Sequence, residues 1–231
     1  MSPRMKARIT ELGLQAADLA GLAKPQSSEL RELVERFRLD RDGLQQIYSV
    51  PGSVLQLKRL REFYAAWQAR LEALPYEPLG AEGRIDWHLL RLNLRYQLGL
   101  LDRAEQKGAE MKPFMGFAEA IAGLQEKRRD FAQVDPKASA AVLAQVRTDI
   151  EAAKKSLEGE GAKPGKIAAL RAANRMDDLG KTLKNWFEFY DGYDPEFGWW
   201  TREPYKKAAT ALGDHAKFLR EKIIGAKAGE A

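Results

Sequence analysis

The sequence predicts an all-α protein, an irregular bundle of seven or eight helices without a sheet. Apolar residues recur every three or four positions along nearly all of the 231 residues, and no segment alternates strictly. The first spacing is that of one helix face, whereas alternation would indicate a half-buried strand. Hydrophobic residues make up 45% and charged residues 31% of the chain, so the composition is that of a globular protein. The absence of cysteine excludes disulfides and thiolate metal sites.

The first two predicted helices are separated by a proline and two serines. One helix spans about residues 4–22. Ser27 or Ser28 can cap the next, because a short hydroxyl side chain accepts a hydrogen bond from an N–H of the first turn. We expect this second helix to loosen around residues 40–43 and to resume toward Tyr48. Its predicted inner face comprises Leu30, Leu33, Val34 and Phe37.

Prolines and glycines delimit the next three predicted helices. The first follows the turn at 51–53 and ends at Pro75. A long helix over about 81–107 comes next and is closed by Gly108, and Pro113 then opens a shorter one. The apolar faces of these three helices comprise, in order, Leu57, Leu60, Tyr64, Trp67, Leu71 and Leu74; Ile85, Leu89, Leu92, Tyr96 and Leu100; and Phe114, Phe117, Ile121 and Leu124.

The carboxyl-terminal part predicts three more helices around a linker at 159–166. Pro136 occupies a typical first-turn position. The helix after the linker ends at a turn over 191–195, and the last helix starts near Pro204. The tail from 225 to 231 is polar and is expected to fray. The predicted inner faces comprise Val142, Val146, Ile150, Ala153 and Leu157; Ile167, Leu170, Leu183, Trp186 and Tyr190; and Tyr205, Leu212, Leu219 and Ile223.

Charge and hydropathy limit the partners. Lysine and arginine exceed aspartate and glutamate by 38 to 33, with the two signs mixed along the chain. A nucleic-acid-binding protein would show a one-sided basic stripe, so we expect no nucleic acid partner. No apolar run approaches the ~20 residues of a membrane-spanning helix. The amino terminus has a basic start, but Glu11 and Asp18 interrupt what would have to be the apolar core of a signal peptide, so none is predicted. The location stays open, and without a signal peptide the sequence is interpreted as cytoplasmic.

The most unusual segment is NWFEFYDGYDPEFGWW, residues 185–200, in which eight of sixteen residues are aromatic. Trp186 and Tyr190 lie one helical turn apart and extend an apolar face, which favours a role in the core. The alternative is a cleft or a docking surface. The candidate cleft or docking aromatics are Trp186, Tyr190, Tyr193, Phe197, Trp199 and Trp200.

Residues for catalysis are not arranged in a known motif. Neither His88 nor His215 has a second histidine four residues later, so the zinc-binding pattern His-Glu-x-x-His is absent. Gly180-Lys181-Thr182 resembles a phosphate loop, but Arg175 stands where that loop needs glycine. Acidic residues among the aromatics could suit a sugar-binding groove, although acids in turns are more often helix caps. No catalytic or metal-ligating residue is therefore assigned.

Three segments in order and spacing resemble a known family. They are FRLDRDGLQQIYSVPGS (37–53) with LREFYAAWQARL (60–71), GRIDWHLLRLNLRYQL (83–98), and LKNWFEFYDGYDPEFGWWTREPYKKA (183–208). Together they resemble the N-terminal half of the bacterial family called domain of unknown function 885. The resemblance covers about residues 27–224 and leaves 1–26 outside it.

Members of that family look like zinc-dependent peptidases of a mostly helical, deep-cleft type. The resemblance implies that these helices wall the cleft, with the zinc ligands located downstream of the aromatic segment. The first hypothesis is therefore a substrate-cleft half, catalytically silent alone, whose partner is a C-terminal catalytic half or a peptide. Zinc is expected only with that half, and relatives of this type are often exported.

The second hypothesis is a free-standing helical binding or scaffold module without enzymatic activity. The two hypotheses differ in the aromatic segment, which is exposed in the first and has a buried Trp199–Trp200 pair in the second. In a free-standing module we expect loss of both tryptophans to unfold the protein, since each large aromatic side chain removed from a core costs ~3–5 kcal/mol.

Overall fold

A computed structural model describes residues 27–129, 132–159 and 165–226. Within these ranges the chain forms seven α-helices and no strand, which confirms the all-α bundle. The predicted helix over 4–22, residues 160–164 of the predicted linker and residues 227–231 of the tail lie outside the described ranges. The helices are α1 (Arg31–Ile47), α2 (Val54–Glu72), α3 (Ala81–Met115), α4 (Ala118–Arg129), α5 (Pro136–Glu158), α6 (Lys166–Asp191) and α7 (Pro195–Phe218), which continues as a π-helical turn, Leu219–Ile224.

Two hydrophobic cores share α3, which has 35 residues and is therefore about 52 Å long. The first core packs α1 and α2 against the earlier part of α3. The second packs the end of α3 with α4 to α7, and its largest contacts join α5 and α6 to α7. The first core contains Phe37, Leu60, Tyr64, Leu71, Leu90, Leu94 and Leu101. None of the helices in the described ranges has both the length and the apolarity that crossing a bilayer requires.

The amino terminus of α3 is held by a carboxylate from outside the helix. The Gly80 N–H donates to Glu29 Oε1 over 3.0 Å, and a Cβ on Gly83 would lie only 2.3 Å from Glu29 Oε2. Hydrogen bonds from its own backbone N–H and from that of Gly80 lower the pKa of Glu29. The negative charge thus stabilises the positive end of the helix dipole, and position 83 needs glycine for the close approach.

His215 is a buried structural residue of the second core. Its Nε2 lies 2.9 Å from the Phe114 carbonyl oxygen, so Nε2 carries the hydrogen and donates it, while Nδ1 has no partner within the described ranges. Burial lowers the pKa of His215, and the positive charge of Lys154 acts in the same direction. The imidazole is therefore held neutral at physiological pH.

The predicted break between 107 and 113 is wrong, because α3 runs through it as far as Met115. Gly108 stands in open space inside the helix, where glycine costs only ~1 kcal/mol relative to alanine. Pro113 lies in the last turn, and its cost of ~3 kcal/mol is offset by burying Phe114 and Met115, each worth ~1.5–3 kcal/mol. Packing of these two side chains in the second core thus extends the helix.

The predicted inner face of α3 is also wrong, because four of its residues face solvent. Ile85, Leu89, Leu92 and Tyr96 are each more than half exposed. The buried face instead carries Leu90 and Leu94, which pack against α2 in the first core. Both sets have helical spacing, so only the position of α2 decides which one is buried.

Three smaller predictions differ from the structure. The last helix begins at Pro195 rather than near Pro204, since the residues before and after Pro204 bury one continuous face that includes Thr201 and Ala208. α1 does not loosen around residues 40–43. Ile167 and Leu170 are exposed, because α6 buries its alanines at this level instead.

Candidate functional site

The turn before α2 joins the two cores. Ser53 is fully buried, and its Oγ–H donates to Glu126 Oε1 of α4 over 2.6 Å while its oxygen caps α2 by accepting from the Gln56 N–H over 3.1 Å. The Val54 N–H donates to Glu119 Oε2 over 3.2 Å. Two carboxylates of α4 therefore lie at the positive end of α2, which fixes the first layer of helices against the second.

Gly52 completes this junction. Its φ of +70° lies in the left-handed region, which glycine adopts without the strain that a Cβ would bring. The Gly52 N–H donates to Gln56 Oε1 over 2.7 Å. On its other side the glycine faces the Arg175 guanidinium of α6, whose Nη2 would lie 3.8 Å from an added Cβ. The tight turn thus brings the backbone beside a charged side chain.

A groove of about 370 Å³ lies beside this junction, between the first turn of α2, the end of α3, the start of α4 and the middle of α6. Small residues and methionines line most of it. Its apolar lining includes Val54, Leu57, Ala109, Met111, Met115 and Ala118. Its charged lining consists of Glu105, Lys112, Glu119 and Arg175. This size and composition are those of a small-molecule or peptide pocket.

The charges of the groove are perturbed by burial. Burial raises the pKa of Glu119, an effect that the Val54 N–H opposes and that neighbouring Glu126 reinforces. Burial also lowers the pKa of Arg175, although Asp178 and Glu119 partly counteract this. A guanidinium remains protonated under all ordinary conditions, so Arg175 is a partly desolvated cation at the groove wall.

The aromatic segment is divided between core and surface. Phe197 has no exposed surface and contacts Trp186 and Tyr190, with ring centroids 5.3 and 5.0 Å away. In contrast, Tyr193 is 89% exposed and Trp199 is 75% exposed. Of the six predicted site residues, the structure therefore brings Trp186, Tyr190 and Phe197 together. It leaves Tyr193 and Trp199 in solvent, with Trp200 partly buried beside Trp199 at 4.7 Å.

The local sequence explains this division. Asp194 caps α7 by accepting from the N–H groups of Glu196 and Phe197 over 3.0 and 3.3 Å. Asp191 forms an ion pair with Arg202 over 2.8 Å, and a Cβ on Gly198 would lie 2.7 Å from the same carboxylate oxygen. These acids act as a cap and a structural ion pair, and this occupation argues against the sugar-groove alternative.

A small cavity of about 110 Å³ lies next to Trp186 and Tyr190. Arg128 forms part of its lining, with its guanidinium 4.6 Å from the Phe189 ring centroid. Burial lowers the pKa of Arg128. This cavity has less than a third of the volume of the junction groove, which makes the groove the stronger ligand-site candidate of these two.

Across the described ranges, no three histidine, aspartate or glutamate side chains come together as metal ligands. His215 is buried in the second core, and His88 accepts or donates a 3.0 Å hydrogen bond with the Tyr76 hydroxyl. Neither histidine of the described ranges thus lies in a cluster of possible metal ligands.

The sequence did not point to the groove, because its residues come from four helices between positions 52 and 175. In the sequence, Arg175 was noted only because it stands where a phosphate-loop motif needs glycine. A usable signal was its place in α6 beside Ala172 and Met176, both buried, since a charge at the edge of an apolar face indicates either a partner or a cavity.

No protein-family model, curated protein or solved structure matches this chain. The resemblance to the family of domain of unknown function 885 stays a prediction.

Proposed function

We propose that this chain is a non-catalytic helical binding module that holds an apolar ligand in the groove beside the α2–α4 junction. The observation that carries the proposal is a groove of about 370 Å³ with predominantly apolar walls. Ligand pockets of ~300–1,000 Å³ are typical of small-molecule sites. Met111 and Met115 supply flexible, polarisable walls that adapt to ligands of different shape.

The junction supports binding by keeping the groove open in the absence of ligand. Ser53 and Val54 fix the start of α2 to two carboxylates of α4, so the walls do not have to be ordered when a ligand enters. A pre-formed site avoids part of the entropic cost of binding. Its one half-buried carboxylate, Glu119, is already engaged by the Val54 N–H, which favours a binding role over acid–base chemistry.

The test uses the methionine methyl groups as reporters. The protein is labelled with ¹³C-methyl methionine and titrated with octan-1-ol, a neutral apolar probe. We expect the Met111 and Met115 resonances to shift, and that of Met176, which is buried in the second core and does not line the groove, to shift much less. Absence of a shift at both groove methionines would overturn the proposal.

A matched pair of variants locates the site. Gly108 lines the groove and has nothing within 4 Å of an added Cβ, so Gly108→Leu adds bulk to the groove wall without a clash at the Cβ. Gly99 lies in the same helix, also in open space, outside the groove. We expect Gly108→Leu to abolish the octan-1-ol shifts and Gly99→Leu to retain them. Equal behaviour of the two variants would contradict this location.

The second candidate function is the substrate-cleft half of a zinc-peptidase-like protein. The exposure of Phe189, Tyr193 and Trp199 favours it, because large aromatic side chains in solvent mark surfaces that a partner covers. The test reads the source locus for a downstream His-Glu-x-x-His helix and co-expresses that half with this chain. If the two halves co-purify and Trp199→Ala weakens this association, the candidate is supported. If the downstream half is fully active alone and does not co-purify with this chain, the candidate is overturned.

A further inference from the structure

We propose that the groove selects ligands that carry a carboxylate on an apolar chain, with the carboxylate bound by Arg175 and the chain lying along Met111 and Met115. This inference rests on the proposed function, since it names the ligand class of the same groove. It would assign Arg175 as the specificity-determining residue of the site.

Arg175 makes no hydrogen bond or ion pair within 4.0 Å to any residue in the described ranges. In this respect it differs from Arg171, one turn earlier on the same face of α6, which pairs with Glu110 over 2.8 Å. Asp178 and Glu119 are close enough to influence Arg175 electrostatically but not to pair with it. A partly desolvated guanidinium that has no partner among the described residues offers five N–H donors to an anion.

The position of Arg175 is fixed by its neighbours. Ala172 and Met176 on either side in α6 are buried in the second core, so the backbone at 175 cannot turn away. Gly52 faces the guanidinium from the other side, where an added Cβ would lie 3.8 Å from Nη2. From this position the planar guanidinium can donate two parallel hydrogen bonds to the oxygens of one carboxylate.

The acids that line the groove have other partners than the Arg175 side chain. Glu105 pairs with Arg61 over 3.0 Å, and Glu119 accepts from the Val54 N–H over 3.2 Å. The cation Lys112 lies at the groove without an ion pair among the described residues. Neither acid therefore occupies the N–H donors of Arg175, which stay available to the carboxylate of a ligand.

The remaining walls define the rest of the ligand. Met111 and Arg175 together line both the groove and a shallower hollow beside it. Leu57 and Met115 continue the apolar surface. A ligand with its carboxylate on the guanidinium would thus place an attached alkyl chain or apolar side chains along the methionines. Either a fatty acid or the carboxyl terminus of an apolar peptide supplies this chemistry.

The experiment compares octanoate with octan-1-ol, which have the same chain length and differ in charge, by the methyl shifts of Met111 and Met115. A charge-assisted hydrogen bond contributes ~1.5–3 kcal/mol, so we expect octanoate to bind roughly tenfold to hundredfold more tightly. The preference is the ratio of the octan-1-ol and octanoate dissociation constants; Arg175→Gln should bring this ratio to about one, and Arg175→Lys should retain part of it. Arg171→Gln, a loss of the same charge one turn away, should leave the preference intact.

The outcomes separate this inference from the proposed function. If octan-1-ol shifts the methionines and octanoate binds no better, the groove is a binding site but the carboxylate inference is wrong. If neither probe shifts them, both proposals fail. Preference retained in Arg175→Gln also overturns the inference. Far-UV circular dichroism of each variant checks the fold, and we expect Arg175→Gln to remain helical because the Arg175 side chain makes no hydrogen bond within the described ranges.

A final pair of probes identifies the source of the carboxylate. Acetyl-Leu-Leu with a free carboxyl terminus is compared with its carboxyl-terminal amide at the same methionine methyls. Tighter binding of the free acid than of octanoate would support a peptide terminus as the ligand. Tighter binding of octanoate would support a fatty acid. Equal binding of the free acid and the amide, together with equal binding of octanoate and octan-1-ol, would overturn the inference.

Discussion

Phe197 and Trp199 stand two residues apart in the same aromatic segment, and the structure predicts opposite consequences for their loss. Phe197 has no exposed surface and lies among three aromatic rings, whereas Trp199 is 75% exposed and contacts Trp200 at its edge. Removing a buried phenylalanine side chain costs ~3–5 kcal/mol through lost burial and the remaining cavity. A surface substitution usually changes stability by no more than ~0.5 kcal/mol.

We therefore expect Phe197→Ala to lower the unfolding free energy by ~3–5 kcal/mol and Trp199→Ala by less than ~1 kcal/mol. For a domain of this size the first change corresponds to a fall in Tm of roughly 6–20 °C. The assay is urea unfolding followed by far-UV circular dichroism, with the slope on denaturant compared among variants. Side-chain size alone predicts the reverse order, because tryptophan is larger than phenylalanine.

The reasoning is refuted if Trp199→Ala destabilises as much as Phe197→Ala with the same denaturant slope. That result would place Trp199 in the core. The structure already departs from the expectation that losing both Trp199 and Trp200 unfolds the module, because only Trp200 is partly buried. We now expect the double variant to stay folded at 25 °C.

Three further predictions follow from single contacts. Gly83→Ala should lower Tm because its Cβ would displace the Glu29 carboxylate, whereas Gly99→Ala, in open space on the same helix, should raise Tm. A change in Tm of the same sign for both variants would contradict this prediction. Ser53→Ala should cost ~0.5–2 kcal/mol in urea unfolding, because it removes the α2 cap, and an unchanged midpoint would argue against the junction. Burial lowers the pKa of His215 in the folded protein, so the unfolded chain takes up the proton first and the free energy of unfolding falls as the pH drops below ~6.5. The variant His215→Gln keeps an N–H donor and should lose that part of the pH dependence. Identical profiles of stability against pH for the two proteins would refute this prediction.

Part of the candidate site followed from local chemistry. The Asp194-Pro195 pair predicts a capped turn at any position in a chain, because an aspartate oxygen reaches the next free N–H groups and proline suits the first helical turn. The structure confirms that turn, although it assigns it to the start of α7. No local sequence feature predicts the junction groove, because Val54, Met111 and Arg175 come together only when three helices pack.

The sequence by itself determined the all-α class, the turns at 51–53 and 191–195, and the inner face of α2. These features depend on periodicity and on backbone chemistry that act within a few residues. Only the tertiary structure decided which apolar stripe of α3 is buried, because Leu92 and Leu94 are equally apolar and differ only in which one faces α2. It also decided that α3 and α7 continue past their prolines, since burial in the second core outweighs the local cost of Pro113 and Pro204.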